Sequence, residues 1–396
     1  MVLFFLGTIL MNIAANLAHP VTPTLIKNLN LGDYMFGAAY GAMMFSNFLF
    51  SPFWGKRNEY RNSRNTIALC SVGYAVGQIF FAVSKTEGVI LLARMFSGVF
   101  AGGIFVSLLT YVVHVSKEED KGTNLTILAG LSSVAAAFGY FIGGMLGEIS
   151  VEIVFGVQAL ALLFSGFFFL GACKKDAPSK SEKMKLKEII TTANPFMAFG
   201  QAKRFMNPRF FLLFSVCGMA YLGSTAFEQC FNYYIKDVFE LTSGYNGTIK
   251  AAIGVVSLIA NGTICLWIIR KTDIKKAAVG ILFVASFLAF GVTFSKNPTV
   301  FIGISILLFA VNGICIPLTQ ELVSSQANRE DSSIVMGFYN GIKSLGGVLG
   351  ALLAGFLYTF HKLSPIWFGG AAFVMAALIG IRYINLCRGK KKERTL

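Results

Sequence analysis

Residues 130–147, GLSSVAAAFGYFIGGMLG, form the stretch that decides the fold. They lie within an apolar segment, and Gly139, Gly143 and Gly147 are spaced by four, so they share one face of a helix. A helix face without side chains lets a second helix approach closely. This is how helices associate in lipid, where burial from water supplies no driving force. The stretch therefore predicts a membrane helix in close contact with a neighbour.

The same pattern returns near the C-terminus in residues 337–350, GFYNGIKSLGGVLG. Three glycines of the first copy, beginning with Gly130, reappear at a constant offset of 207 residues. The matched positions are Gly337, Gly346 and Gly350. Two copies half a chain apart indicate a duplicated protein.

Composition places the chain in a membrane. Of its 396 residues, 55% are hydrophobic and only 13% are charged, whereas soluble proteins have about 25% charged residues. Twelve apolar runs have roughly the length needed to cross a bilayer, about 20 residues each. These runs predict an all-α membrane protein with twelve transmembrane helices. They lie near residues 2–27, 34–54, 65–84, 88–113, 123–147, 151–172, 209–236, 245–269, 276–295, 299–322, 333–360 and 364–386.

The net charge of +15 does not indicate a nucleic-acid partner, because most basic residues lie in alternate connections and in the C-terminal tail. Basic connections stay on the cytoplasmic side, so both termini and the long central loop are predicted there. Within that loop, an amphipathic helix around residues 184–190 is predicted to lie on the inner leaflet. The predicted domains are an N-terminal six-helix bundle at 1–172, a cytoplasmic linker at 173–208, a C-terminal six-helix bundle at 209–387 and a basic tail at 388–396.

Cysteine and histidine usage favours neither a metal site nor an enzyme. The seven cysteines include no CxxC pair, and the three histidines are scattered among different segments. The chain also has no phosphate-binding glycine loop and no Ser/His/Asp spacing of a hydrolase. We expect no cofactor and no metal, and a proton gradient as the energy source.

Polar residues inside spans usually face a bundle interior or a water-filled cavity. In the first span Asn12, Asn16 and His19 share one face, which is consistent either with a cavity lining or with polar packing between helices. Pro20 and Pro23 are predicted to break that span near its outer end. The complete set predicted to line a substrate cavity is Asn12, Asn16, His19, Tyr40, Asn47, Tyr221, Ser224, Phe231, Asn312, Asn340 and Lys343.

Lys343 has an unusual depth for a lysine, about 15 Å into the eleventh span. Three roles are open from the sequence: pairing with an acid such as Glu321 or Glu228, attracting an anionic substrate, or extending towards the cytoplasm.

Glu228 is the acid best placed to carry protons, because aromatic residues flank it within the seventh span. The alternative is that it lies near the outer end and pairs with a base. Arg94 is an intramembrane arginine with Gly98 and Gly102 on its own helix face, and it either has a function or reaches water at the interface. Glu321, near a cytoplasmic helix end, is a further candidate for proton coupling.

Two six-span halves joined by a basic loop resemble the major facilitator superfamily. The turn from Gly55 to Arg64 sits where that family has its GxLaDRxGRR loop, with Glu59 in place of the Asp. Arg94 with its two glycines looks like the family's helix-four RxxxGxxxG motif, whose arginine the family associates with proton transfer. The resemblance implies the major facilitator fold, with two pseudo-symmetric six-helix bundles.

Other motifs resemble those of the twelve-span drug:proton antiporters. Residues 20–23, PVTP, are similar to their PvxP element. The glycines of residues 130–147 match the helix-five motif G-x8-G-x3-GP-x2-GG, in which Gly144 replaces the Pro, as Ala351 does in the second copy. We call this series of spaced glycines the glycine ladder. The family uses it for conformational packing between its halves. An acid in helix seven, here Glu228, is also seen in multidrug exporters of the family.

The resemblance implies a proton-coupled exporter of small hydrophobic or cationic compounds that works by alternating access. Its partners would be the substrate, protons and the lipid bilayer, and it would act as a monomer in a bacterial plasma membrane. A second hypothesis is an exporter or flippase of one metabolite, sugar or lipid, including an anionic one. A third is a membrane receptor that transports nothing.

Overall fold

The chain is helical almost throughout in the computed structural model, which describes residues 1–177, 194–326 and 332–393. The first half contains α1 (Val2–Asn16), α2 (Thr22–Asn28), α3 (Met35–Tyr60), α4 (Ser63–Val83), α5 (Glu87–Val115), α6 (Glu118–Gly147) and α7 (Val151–Ala172). The second half contains α8 (Met197–Gly200), a 3-10 turn (Gln201–Arg204), α9 (Pro208–Asp237), α10 (Ser243–Ala260), α11 (Leu266–Lys271), α12 (Ile274–Val292), α13 (Pro298–Ser324), α14 (Ser332–Phe360) and α15 (Ser364–Glu393). These described residues include no β-strand.

Each of the twelve predicted spans coincides with one helix or with two consecutive helices. Within the described ranges, ten helical segments are long and apolar enough to cross a membrane. The first span is divided, because α1 ends at Asn16 and α2 begins at Thr22. Pro20 lies in the intervening turn and Pro23 in the first turn of α2, where a residue without a backbone N–H is tolerated. The predicted break in this span is confirmed.

A π-helical turn, Asn261–Cys265, joins α10 to α11. The backbone stays helical through this turn, so both helices belong to the eighth predicted span. Single π turns inside an α-helix are rare. The turn therefore marks a local departure from α-helical register within one membrane span.

The chain forms two compact units. The first comprises Met1–Pro195 with Glu240–Gly254, and the second comprises Phe196–Phe239 with Val255–Leu396. In the first unit α1 packs on α6, and α4 packs on both α5 and α7. The second unit repeats these pairs, with α9 on α14 and α12 on both α13 and α15. Equivalent helices therefore make the same contacts in both halves of the chain, as expected for a duplicated protein.

The four domain boundaries stay a prediction. The centre of the linker, with its proposed amphipathic helix, lies outside the described residues, and so does the very end of the basic tail.

The glycine ladder of each half packs on the first helix of the same half. A Cβ atom added at Gly139 would lie 2.6 Å from the carbonyl oxygen of Ile13, and one at Gly143 would lie 1.8 Å from that of Leu17. These distances are too short for any side chain, so α6 and α1 meet backbone to backbone. Gly130 lies apart from this contact, because an added Cβ there meets no described atom within 4 Å.

The second half makes the equivalent contact between α14 and α9. A Cβ at Gly346 would lie 2.8 Å from the carbonyl oxygen of Gly218, and one at Gly350 would lie 2.4 Å from that of Leu222. Gly337, the counterpart of Gly130, is exposed. The two copies of the ladder thus hold corresponding helix pairs.

Two further glycines of α6 contact the first turns of α10, which belong to the same unit. An added Cβ at Gly144 would lie 2.8 Å from the Cα of Gly247, and one at Gly147 would lie 2.9 Å from the Cβ of Ser243. The side-chain amide of Asn246 donates to the carbonyl oxygen of Pro20, at 3.2 Å. At its C-terminal end, α6 therefore packs against α10 as well as α1.

Asp176, in the segment after α7, caps the N-terminus of α4. Its carboxylate accepts hydrogen bonds from the backbone amides of Ser63 (2.9 Å) and Arg64 (3.2 Å), and it contacts Nδ1 of His114 at 3.1 Å. Burial alone would raise the pKa of Asp176, but these bonds outweigh that effect and hold the pKa below its ordinary value. The buried carboxylate therefore joins the ends of α4, α5 and α7.

Asp176→Asn is expected to lower the free energy of unfolding by roughly 2 kcal/mol, since hydrogen bonds to a charged group are lost. Because the folded-state pKa is depressed, this stabilisation is fully present above the ordinary Asp pKa of about 3.9 and disappears as the pH falls through the folded-state pKa. Thermal unfolding in detergent at neutral pH and below pH ~4 measures both effects. The exposed neighbour Lys175 supplies the control, Lys175→Gln, and equal midpoints for Asp176→Asn and wild type at neutral pH would contradict the prediction.

Candidate functional site

Arg94 of α5 is buried inside the first unit, with 5% of its surface exposed. Its Nη2 donates to Oγ1 of Thr22 at 3.0 Å, and its guanidinium lies 3.7 Å from the ring centroid of Phe81. No Asp or Glu of the described ranges forms an ion pair with it. A hydroxyl and an aromatic face therefore hold this charge inside the unit.

The two glycines that follow Arg94 make room for its helix. A Cβ at Gly98 would lie 2.1 Å from the carbonyl oxygen of Met43, and one at Gly102 would lie 2.8 Å from Oδ1 of Asn47. Helix α5 thus packs very closely on α3, as the spacing predicts. Asn47 lies in this contact, where its Oδ1 also accepts a hydrogen bond from Ser51 at 3.0 Å.

The polar face of α1 turns towards α6. The side-chain amide of Asn12 is buried and donates to the carbonyl oxygen of Thr8 (2.9 Å) and to Oγ of Ser132 (3.2 Å). Asn16 donates to the carbonyl oxygen of Asn12 at 2.8 Å. Of the two roles left open for this face, the contacts of Asn12 favour polar packing between helices.

Two other residues of the predicted cavity lie elsewhere in the first unit. The ring of His19 stacks 5.5 Å from that of Tyr140 on α6. Tyr40 is half-buried on α3.

Glu228 lies half-buried on α9 beside an aromatic cluster. Its neighbour Phe227 and the residue one turn later, Phe231, are both fully buried. The ring of Phe231 stacks on Phe301 at 6.2 Å and meets the edge of Phe309 at 5.3 Å. Phe231 therefore belongs to the packing of the second unit.

A narrow cleft in the second unit brings three predicted residues together. Tyr221 and Ser224 of α9 face Asn312 of α13 across it. Nζ of Lys343, on α14, lies 5.3 Å from the centroid of the Tyr221 ring. Glu321 and Asn340 are exposed and do not line this cleft. The complete lining is Ala220, Tyr221, Ser224, Asn312, Cys315, Ile316 and Thr319.

The predicted turn from Gly55 to Arg64 is largely helical, because α3 continues to Tyr60 and α4 begins at Ser63. Glu59 pairs with Lys56 at 3.0 Å, and Nη1 of Arg64 donates to the carbonyl oxygen of Cys173 at 2.7 Å. A Cβ at Gly55 would lie 3.7 Å from Val106, which is ordinary contact.

Sequence reasoning missed Asp237 at the end of α9. Its carboxylate accepts a hydrogen bond from the hydroxyl of Tyr358 at 2.7 Å and pairs with Lys362 at 2.8 Å. An acid at a span end ordinarily indicates only a solvated surface. The only available signal was that Lys362 follows the apolar run of α14 directly, as Asp237 follows that of α9.

Residues 4–351 match the sequence profile of the Major Facilitator Superfamily. The chain belongs to the Major Facilitator Superfamily. It is accordingly a multi-pass membrane transporter of small molecules.

Characterised relatives are distant but cover nearly the whole chain. Multidrug resistance protein 2 of Bacillus subtilis is 21% identical over 377 residues, which are 94% of this transporter and 91% of that protein. Quinolone resistance protein NorA of Staphylococcus aureus is 22% identical over 404 residues, with 100% and 98% covered.

Solved structures of the superfamily share the fold of this transporter. The human organic anion transporter MFSD10 (TETRAN) matches with a TM-score of 0.66 and 17% identity, covering 96% of this chain and 98% of that one. The nucleoside transporter NupG matches with a TM-score of 0.73 and 13% identity, covering 97% and 98%. At these identities the likeness concerns the fold alone.

Proposed function

We propose that this transporter exports small hydrophobic compounds, cationic ones included, and that protons entering the cell drive the export. The observation that carries the proposal is Glu228, a half-buried carboxyl within a membrane span and next to fully buried aromatic rings. An intramembrane acid is a functional candidate by default, because a charge at that depth is costly. The names of the two bacterial relatives, which describe resistance to drugs and to quinolones, support the export of such compounds.

Glu228 is the group that exchanges protons in this mechanism. When the site faces outward, the carboxylate takes up a proton and loses its charge. When the site faces inward, the proton leaves to the cytoplasm, and the restored carboxylate attracts the next cationic or polarised substrate. Since one proton moves in for each substrate released outside, the gradient supplies the free energy of export.

Arg94 contributes a fixed positive charge to the first unit. Its guanidinium is oriented by Thr22 and by the face of Phe81. The electric field of this charge therefore keeps one direction through the cycle of proton binding and release. A buried cation of this kind disfavours excess positive charge in its neighbourhood. Its place in the mechanism is to promote release of the proton.

We propose that the transporter acts as a monomer in the plasma membrane. Lysine and arginine concentrate in alternate connections and in the C-terminal tail. Because connections rich in these residues stay on the cytoplasmic side, both termini would face the cytoplasm.

Transport into proteoliposomes with an imposed pH gradient tests the proposal. With an acidic interior, wild type is expected to accumulate an external fluorescent lipophilic compound well beyond protein-free vesicles, as outward proton flow drives uptake. An ionophore that exchanges H⁺ for K⁺ should remove the accumulation, and vesicles at symmetrical pH give the baseline. Accumulation that is equal with and without the gradient would rule out proton coupling, and no accumulation of any hydrophobic compound would rule out the drug-type substrate.

A further inference from the structure

Lys343 places a positive charge at membrane depth in the second unit. Its Nζ lies over the ring of Tyr221 at 5.3 Å. In the part of the chain that the structure describes, no carboxylate forms an ion pair with it. A charge inside a membrane protein is expensive unless a partner or a function compensates for it. The cation–π contact supplies only a small part of that compensation.

Three buried donor groups lie around this lysine and the adjoining cleft. The hydroxyls of Tyr221 and Tyr339 are neighbours, and Tyr339 precedes Lys343 by one helical turn. Neither hydroxyl makes a well-aligned hydrogen bond, although the two lie within reach of each other and that of Tyr339 also lies near Thr319. The amide nitrogen of Asn312 has no hydrogen-bond partner among the described residues. Tyr339 and Asn312 are only 1% and 5% exposed. Buried polar atoms nearly always have a hydrogen-bond partner in native proteins. These groups are therefore available to bind a ligand.

The chemistry of these groups selects the charge of the ligand. An ammonium and an amide nitrogen only donate hydrogen bonds, and a phenol hydroxyl donates readily. The lining of the cleft includes no acidic residue, and the hydroxyl of Thr319 already donates to the carbonyl oxygen of Cys315 at 3.0 Å. A set of donors around one positive charge fits an anion with several acceptor oxygens.

The size of the cleft limits how much of a ligand it holds. Only about 10 Å³ of it is open to a water-sized sphere, roughly what one water molecule needs. The cleft therefore accepts no more than one oxygen atom of a ligand, and the rest of the ligand lies outside it.

We propose that Lys343, at the mouth of the adjoining cleft, binds the anionic group of an amphipathic organic acid, such as an aromatic carboxylate or sulfonate. Lys343 supplies the charge, while Tyr221, Tyr339 and Asn312 donate to the acceptor oxygens. The inference rests on the proposed export of hydrophobic compounds and adds a second class of substrate to it, organic anions.

Binding to the purified full-length protein in detergent tests this inference with two matched probes. 2-Naphthoate and 2-naphthamide share one ring system and differ in charge. We expect wild type to bind naphthoate at least about tenfold more tightly, since loss of a buried charged partner exceeds the 1.4 kcal/mol that a tenfold change represents. Lys343→Gln should abolish this preference, and Lys343→Arg should retain it. Tyr339→Phe should weaken naphthoate severalfold and leave naphthamide unchanged.

Lys271→Gln is the control, because it removes the same charge from the exposed end of α11. Equal binding of the two probes to wild type would overturn the inference, and so would a preference that survives Lys343→Gln. If Lys343→Gln is not monodisperse, the comparison of Tyr339→Phe with wild type decides in its place. Binding needs no gradient, so a failure of proton-driven transport leaves this result distinguishable from a failure of the anion site.

Discussion

Gly143→Ala is expected to remove most of the folded transporter. The new methyl group would lie 1.8 Å from the carbonyl oxygen of Leu17, and its next nearest neighbours are also backbone atoms of Leu17. No side-chain rotation relieves such a clash, so α6 and α1 must separate along their contact. Overpacking a well-packed core costs about 1–3 kcal/mol, and a contact this short with rigid backbone places the cost at the upper end.

The measurement is the monodisperse yield and the thermal midpoint in detergent, compared with Gly130→Ala. Gly130 lies on the same helix, but an added Cβ there meets no described atom within 4 Å. Alanine also favours the helix by roughly 1 kcal/mol over glycine, so Gly130→Ala should be neutral or stabilising. Gly350→Ala, whose methyl would lie 2.4 Å from the carbonyl oxygen of Leu222, should resemble Gly143→Ala in a weaker form. Equal midpoints for Gly143→Ala and Gly130→Ala would show that the ladder does not hold the helices together.

Glu228→Gln is expected to reduce gradient-driven transport to the level of protein-free vesicles. Glutamine preserves the shape of the side chain and cannot exchange a proton, so the proposed mechanism loses its coupling step. Binding of a neutral hydrophobic substrate, and its exchange across the membrane at symmetrical pH, should continue because neither requires a proton to move. Measuring gradient-driven uptake and exchange on the same vesicles separates these two results.

Glu321→Gln makes the same chemical change at an exposed position near the end of α13 and serves as the control. It should leave gradient-driven uptake close to that of wild type. Gradient-driven uptake that persists in Glu228→Gln and is lost in Glu321→Gln would transfer the coupling role to Glu321.

The fold could be predicted because it depends on local patterns of hydropathy and glycine spacing in the sequence. Spans depend on continuous hydropathy, and the close approach of α5 to α3 depends on glycines four residues apart, so both are readable without a structure. The same is true of the duplication, because the two glycine ladders share one spacing. The glycine spacing does not identify the helices that they contact, α1 and α9.

The candidate site was less predictable because its contacts join distant parts of the chain. The sequence identifies Arg94 as unusual, but not that Thr22 and Phe81 hold its guanidinium. A polar helix face such as that of Asn12 has the same spacing whether it lines a cavity or meets a serine on another helix. Asp176 is one acid among several lysines, and its function as a helix cap depends on the return of the chain to the start of α4.

The π turn at Asn261–Cys265 has a consequence for experiments that map the eighth span one residue at a time. A π turn contains one residue more than an α turn, so every side chain beyond it is rotated by about 100° relative to an uninterrupted helix. A helical wheel drawn from Ser243 onwards would therefore assign Trp267 and Arg270 to the wrong faces. Accessibility labelling of single cysteines should change phase at this turn, and deletion of one residue within it should restore a single phase along the whole span.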